Sequence, residues 1–348
     1  MAAITEDRRA EVVPKSLIEA ARNLVATTES SGKRLELKPL ASGGNNRVFL
    51  VESESARYVA KWYYHDTSNT RDRARAEFEF LSHLWGFGIR NIPRPIACDP
   101  RYHLAIYEFV SGRHVRAADL TPALIDVAAR FFATINARPV RAAAAHLPVA
   151  SDACFTIDEH IRSVDRRIER LSTIQPESPA DREAVTFTKQ LAAAWSRVRD
   201  RLLADTPDIH GNLPDDWRSL SPSDFGFHNA ILREGGEICF LDFEYAGWDD
   251  PAKMIGDFFS HPGMPVPNKH LERFASLSLE PFSDRAKLAA RVHHLIAVSR
   301  MRWCCIILNE FLPDIADRRQ FADPTADISE RKQRQLIKAH SLLAAIDI

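Results

Sequence analysis

A chain of 348 residues is long enough for two domains, or for one bilobal unit built around a cleft. Apolar residues make up 45% and charged ones 27%, and 46 basic against 47 acidic residues leave a formal net charge of −1. Such a balance fills a core but excludes a nucleic-acid binder driven by phosphate neutralisation and a polybasic membrane-surface protein.

In chain order, the first twenty residues carry charges where a signal peptide needs an apolar core. Charged residues also interrupt every hydrophobic stretch before 18 residues, so no membrane span is expected and a cytoplasmic location is. Residues 15–30 have the spacing of an amphipathic helix (Leu17, Ile18, Ala21, Leu24, Val25). From 35 to 64, LELKPL, RVFLVES and RYVAKWYY are short Val-, Phe- and Tyr-rich runs separated by Gly, Asn and Ser, the pattern of an antiparallel meander. A helix follows, with Ala76, Phe80, Leu81 and Leu84 on one face and a stop at Gly86 and Gly88. NIPRPIACDP then approaches a strand, HLAIYEFV, that ends at the turn SGR.

After 112 the pattern becomes helical. Thr121 reads as an N-cap with Pro122 in the first helical position, opening a helix to about Ala137. Further helices are expected over 156–173, 180–204, 285–312 and 328–345, with one β-like island from Asp224 to about Tyr245. The expected organisation is an N-terminal helical extension (1–30), a small β-rich nucleotide-binding N-lobe (31–111) and a larger helical C-lobe (112–348) for catalysis and substrate. Cys98, Cys154, Cys239, Cys304 and Cys305 are odd in number and form no C-x-x-C pair, so they are expected as reduced thiols, mostly buried.

The segment with most chemistry is SPSDFGFHNAILREGGEICFLDFEYAGWDDP, residues 221–251. Asp224 and Asn229 stand five apart, and Asp242 ends the apolar run that follows a Gly235-Gly236 hairpin. Phosphoryl transfer from Mg–ATP needs one carboxylate to orient the attacking hydroxyl, and an amide with a second carboxylate to hold Mg²⁺ on the phosphates. Taken one at a time, each residue is an ordinary turn former; type, order and spacing together point to this chemistry. In the N-lobe, Gly43 and Gly44 of ASGGNNRVFLV lack a Cβ and would let backbone amides approach phosphates. By alternation, Lys61 shares a face with Val59 and Tyr63, where a lysine needs a partner unless it guards a sheet edge. Glu77 is the candidate partner and Glu79 its rival.

This order of a Gly-rich turn, strand Lys61, helix Glu77, strand IYEFVSG, loop SDFGFHN and LDFE resembles the aminoglycoside phosphotransferase and choline kinase-like family over about 40–260. The resemblance implies an α+β, bilobal protein-kinase-like fold and an ATP- and Mg²⁺-dependent enzyme, with GTP an open alternative. It implies a catalytic base at Asp224 and metal ligands at Asn229 and Asp242. Nucleotide contacts would come from Ser42, Gly43, Gly44, Asn45, Lys61 and Glu77, with adenine on the backbone around Glu108, Phe109 and Val110. Asp250-Pro251 and Asp257 resemble an element that buttresses the catalytic loop. The family's usual His-Gly before the catalytic Asp is Pro222-Ser223 here, and its Gly before Asp250 is Asp249. Those departures keep open a catalytically inactive nucleotide-binding scaffold.

Asp250-Pro251 follows Asp242 within nine residues, which leaves no room for the peptide-docking segment of a protein kinase and favours a small-molecule acceptor. An aminoglycoside would want a carboxylate-rich C-lobe, but residues 240–348 hold 15 acidic and 14 basic groups. Choline would want an aromatic cage, for which Tyr245, Trp248 and Trp303 are candidates. A neutral or anionic hydroxylated compound, such as a sugar derivative, fits the balance best. His228, Glu244 and Asp249 flank the transfer site as candidate substrate contacts, with Arg300, Arg302, Asn309 and Glu310 as weaker ones. His293-His294 lacks the spacing of a metal hydrolase. The oligomeric state is open.

Overall fold

The computed structural model describes residues 14–26, 35–40, 45–53, 56–65, 71–206, 208–322 and 327–346. The N-terminal part holds α1 (Lys15–Ala26), β1 (Glu36–Pro39), β2 (Asn46–Glu52), β3 (Arg57–Tyr63), α2 (Arg73–Gly86), β4 (Pro95–Asp99) and β5 (Leu104–Glu108). The strands form an antiparallel sheet in the order β1-β2-β3-β5-β4. Strand alternation sorts its side chains. Ala60, Leu104 and Ile106 face the cluster built with Leu17, Ala20, Ala21 and Val25 of α1. Tyr63, Ala105 and Tyr107 face the other way, into the cluster with Phe80, Leu81 and Leu84 of α2. The sheet is thus covered on both faces. The stretch read only as an approach to a strand contains β4 itself, which tolerates Pro95 because it begins an edge strand that needs fewer N–H donors.

At the turn after β5, Gly112 adopts φ +150°, and a Cβ there would lie 2.5 Å from the Leu232 carbonyl oxygen; only glycine fits. The chain then runs through β6 (Arg113–His114), α3 (Pro122–Ile135), α4 (Arg138–Ala142), α5 (Ile157–Leu171) and α6 (Pro179–Asp205). Thr121, Thr156 and Ser178 cap α3, α5 and α6 through their side-chain oxygens, and the last two form capping boxes with Glu159 and Asp181. The β-like island is broader than expected: β7 (Ser219–Ser221), β8 (Ala230–Leu232), β9 (Ile238–Phe240) and β10 (Gly247–Asp249). β8 and β9 form the hairpin, extended by β6, while β7 pairs with β10.

The remainder is helical: α7 (Pro251–Ser260), α8 (Leu271–Ser278), α9 (Arg285–Ile307), α10 (Pro313–Ala322) and α11 (Ile328–Ala344). The expected helix over 285–312 ends earlier, because its last turn tightens to a 3₁₀ segment over Leu308–Phe311. α7 lies so close to α9 that a Cβ on Gly256 would sit 2.3 Å from Ser299 Oγ. Among the described residues no helix is long and apolar enough to cross a membrane. All five cysteines are free thiols, four buried and Cys98 partly so.

Candidate active site

Lys61 occupies the middle of β3, the central strand of the sheet, so the edge-strand reading does not apply. Its ammonium bonds Glu77 Oε2 at 2.6 Å and Asp242 Oδ1 at 2.5 Å. Burial alone would lower its pKa, but the Asp242 and Glu77 carboxylates outweigh burial and hold it above the usual lysine range. Glu79 pairs with Arg75 on the exposed side of α2 instead. Glu77 is held in turn by the Tyr63 hydroxyl at 2.7 Å, which meets the Tyr107 hydroxyl at 2.8 Å. The other Glu77 oxygen accepts the Phe243 backbone N–H at 3.1 Å, so one carboxylate ties β3, α2 and the segment after β9 together.

Asp242 and Asn229 approach through the backbone. β8 and β9 pair Ala230 with Phe240, and the Leu241 N–H donates to the Asn229 carbonyl at 2.8 Å, one residue before Asp242. Asp242 takes φ +67°, in the left-handed region, a conformation aspartate tolerates better than most residues. Burial, opposed by Lys61 and assisted by Glu244 and Glu77, raises its pKa. Asn229 spends its amide N–H on Asp224, at 3.0 Å to the carbonyl and 3.4 Å to Oδ2. With Nδ2 so engaged, the amide oxygen is the atom Asn229 has left to offer a ligand. Two oxygen donors of this kind, one anionic, suit a hard cation such as Mg²⁺.

Asp224 lies in a 27% exposed position and is flanked by two imidazoles. His228 Nε2 is 3.2 Å and His261 Nε2 3.4 Å from Oδ1, and the two rings stack at 3.5 Å between centroids. His261 Nδ1 accepts the Gly263 N–H at 3.0 Å, which places the proton of the neutral ring on Nε2, pointing at Asp224. Burial would raise the Asp224 pKa. The His228 and His261 neighbours and the Asn229 amide outweigh it and hold the carboxylate well below its ordinary range. Ser223, standing where the resemblance expects glycine, adopts φ +65° and anchors its hydroxyl on the Tyr245 carbonyl at 2.9 Å. The left-handed turn is therefore kept without glycine.

Several sequence candidates lie elsewhere. Asp249 is fully buried: Oδ2 meets Lys253 Nζ at 2.7 Å, and Oδ1 accepts the Cys154 and Asp250 N–H groups. Both of its oxygens are thus engaged inside the protein. Glu244 is also fully buried, accepting from Asn46 Nδ2 at 2.9 Å and Asn45 Nδ2 at 3.4 Å, which fastens the start of β2 to the C-terminal part. Arg302 turns into the core onto Asp257, Arg300 reaches Asn268 and the Ala345 carbonyl, and Glu310 pairs with Arg319 and Arg331. Trp303 bonds Asp257 at 2.9 Å and sets its ring edge-on to His261 rather than joining a cage. Glu108 ends β5, its N–H bonded to the Arg94 carbonyl; Phe109 packs under Arg57 and Val110 is buried. Ser42, Gly43 and Gly44 lie outside the described residues.

Beneath the site, Asp250 caps α7 and accepts from Arg291 at 2.7 Å and His160 at 3.1 Å. Burial pushes the His160 pKa down to about 4, although Asp250 pulls it upward. The folded value lies below the ordinary 6.5, so as pH falls the unfolded chain takes up the proton first. Stability is full above about pH 6.5 and declines between there and about 4. We expect a loss on the order of 2 kcal/mol between pH 7 and 5 from this group, read by denaturant unfolding, and a shallower slope in His160→Gln.

His261, Arg71 and Asn46 escaped the sequence reading. Arg71 clamps the backbone carbonyls of Glu244, Val149 and Ala246. Nothing local marks any of the three, because their partners lie far away in sequence.

A sheet lysine locked to a helix glutamate, facing a loop that offers Asp, Asn and Asp, is the arrangement of a kinase-like phosphotransferase. Residues 36–290 match the phosphotransferase enzyme family, APH, and the chain belongs to that family. No sequence match was found among curated proteins. Solved structures similar to this chain include choline kinase from Streptococcus pneumoniae (15% identity, 95% of this chain and 100% of that one, TM-score 0.58). Choline kinase from Cryptosporidium parvum Iowa II is similar too (15% identity, 95% and 96% covered, TM-score 0.57). So is spectinomycin phosphotransferase in complex with ADP and spectinomycin (14% identity, 91% and 98% covered, TM-score 0.57). The chain is thus a small-molecule phosphotransferase with the protein-kinase-like fold.

Proposed function

We propose that this enzyme transfers the γ-phosphoryl group of ATP, bound with Mg²⁺, to a hydroxyl of a small molecule, a sugar or sugar derivative fitting its charge balance best. The observation that carries this reading is the convergence of Lys61, Glu77, Asp242, Asn229 and Asp224. Asp224 accepts the hydroxyl's hydrogen bond, orients its oxygen toward phosphorus and takes the proton as the P–O bond forms. Because the carboxylate is held strongly ionised, it acts chiefly as a positioning acceptor and receives the proton late. Lys61, kept cationic and fixed by Glu77, would neutralise phosphate charge. Asn229 and Asp242 would hold Mg²⁺, which supplies charge neutralisation on the transferring phosphates. Binding of ADP by spectinomycin phosphotransferase agrees with an adenine nucleotide in the cleft.

The Lys61–Asp242 contact sets the test. Without a metal the lysine neutralises this carboxylate; with Mg–ATP the metal and phosphates would share that task. ATP with Mg²⁺ should therefore raise Tm by several degrees, and ATP with chelator by much less. Asp242→Ala should abolish the difference between the two. An ATP-induced rise that ignores Mg²⁺ in the parent protein would remove Asp242 and Asn229 as metal ligands.

A further inference from the structure

Asp224 takes no side-chain donor from the two residues that lead into it. Pro222 has none to give, and the Ser223 hydroxyl is spent on the Tyr245 carbonyl. Its partners come from later in the chain. His228, in the turn Phe227–Asn229, places Nε2 3.2 Å from Asp224 Oδ1. Because an ionised carboxylate only accepts, that nitrogen carries the proton. His228 Nδ1 is buried and has no partner among the described residues. A phenylalanine ring would avoid that cost, so what the imidazole adds is its one bond to Asp224.

The His228 ring is fixed from behind. His261, which follows α7, stacks on it at 3.5 Å between centroids and 8° between planes, with its own Nε2 3.4 Å from the same oxygen. The Gly263 N–H on Nδ1 and the Trp303 ring of α9, edge-on at 4.3 Å, hold His261 in turn. Two glycines leave the space that the pair fills. A Cβ on Gly226 would lie 2.7 Å from His228 Nδ1, and one on Gly263 would lie 2.8 Å from His261 Cε1 and 3.0 Å from His228 Cβ. Both rings thus crowd onto Oδ1, whereas Oδ2 has the long 3.4 Å contact with the Asn229 amide. A carboxylate oxygen accepts about two bonds, so Oδ2 is the oxygen with capacity left.

Resting on the kinase reading above, we propose that His228 and His261 are positioning residues for the transfer. His228 holds Oδ1, His261 backs the His228 ring, and together they turn Oδ2 to the acceptor hydroxyl. The hydroxyl donates to Oδ2 while its oxygen forms a bond to the γ-phosphorus of ATP. The bond from that phosphorus to the β,γ-bridging oxygen breaks, the proton goes to Oδ2, and ADP leaves. In this role the imidazoles act through Asp224, so their loss falls on kcat and leaves KM near that of the parent. A direct substrate contact at His228 would raise the acceptor KM instead.

The experiment follows Mg–ATP turnover by ³¹P NMR with glucose, myo-inositol, gluconate, glucose 6-phosphate, choline and kanamycin as acceptor probes, and with water alone. The reactive acceptor is then used to compare variants, and the Mg–ATP thermal shift reports that each one folds. His228→Phe keeps a ring in the stack without the N–H, and His228→Gln keeps an amide N–H at similar reach without the ring. The expected result is a kcat lowered by roughly 10–100-fold in His228→Phe, the cost of a misplaced group, and mostly recovered in His228→Gln. His261→Phe, which preserves the stack, should lose less than His261→Ala, which removes it. A His228→Phe variant as fast as the parent overturns the proposal, as does a raised acceptor KM at unchanged kcat. A Gln variant no faster than the Phe variant, or parental kcat in His261→Ala, overturns it too. All of these outcomes leave the kinase reading standing. A parent protein that consumes no Mg–ATP with any probe or with water overturns both.

Discussion

Asp224→Asn is expected to lower kcat by roughly 10²–10⁴-fold, the usual contribution of a positioned acid–base group, while ATP affinity stays within about twofold. The substitution keeps shape and changes only the acceptor. One side-chain oxygen remains to accept from His228 and His261, but an NH₂ group replaces the second. That NH₂ would face the Asn229 amide, now 3.4 Å from Oδ2, and the incoming hydroxyl as a donor against a donor. The hydroxyl loses its orienting bond and its proton has no destination. Nucleotide binding should survive because Lys61 is anchored by Glu77 and Asp242, neither of which depends on Asp224 for a hydrogen bond. Transfer to whichever acceptor the probes identify, measured beside the Mg–ATP thermal shift, checks both halves. Turnover retained in a variant that still binds Mg–ATP would take Asp224 out of the mechanism.

The parts of this site that can be read from the sequence lie close together in it. Asp224, Asn229 and Asp242 fall within nineteen residues, and the short β8–β9 hairpin between them brings their backbones side by side. Lys61 and Glu77 could be paired because strand alternation and helix periodicity each specify a face. The helices with side-chain caps, at Thr121, Thr156 and Ser178, were equally visible. What stayed hidden depends on distant packing. His261 reaches Asp224 only because α7 folds back beneath the catalytic loop, and Arg71 finds its carbonyls more than seventy residues away. Asp249 carried a local sign that was passed over. It stands four residues before Lys253 at the start of α7, a spacing that pairs opposite charges.

Arg302→Ala is expected to destabilise the enzyme by about 3–5 kcal/mol, the cost of leaving a buried charge without its partner, which corresponds to a Tm loss on the order of 10 °C. Arg302 is 1% exposed and bonds Asp257, which also accepts from Trp303 Nε1 and lies 3.5 Å from Lys253. Lys253 in turn is bound to the buried Asp249. Two cations and two carboxylates thus balance one another beneath the Asp224 loop, at the end of β10 and on helices α7 and α9. Without Arg302, Lys253 must serve both carboxylates. An Asp257→Leu, Arg302→Met double variant removes one charge of each sign and leaves the Asp249–Lys253 pair intact, so it should recover much of the lost stability. Its activity should nevertheless fall. Asp257 fixes the Trp303 indole, whose ring stands 4.3 Å edge-on from the His261 ring beside Asp224. A double variant that regains Tm but not kcat would show that these buried charges position the catalytic loop. Recovery of both would confine their role to holding α7 against α9.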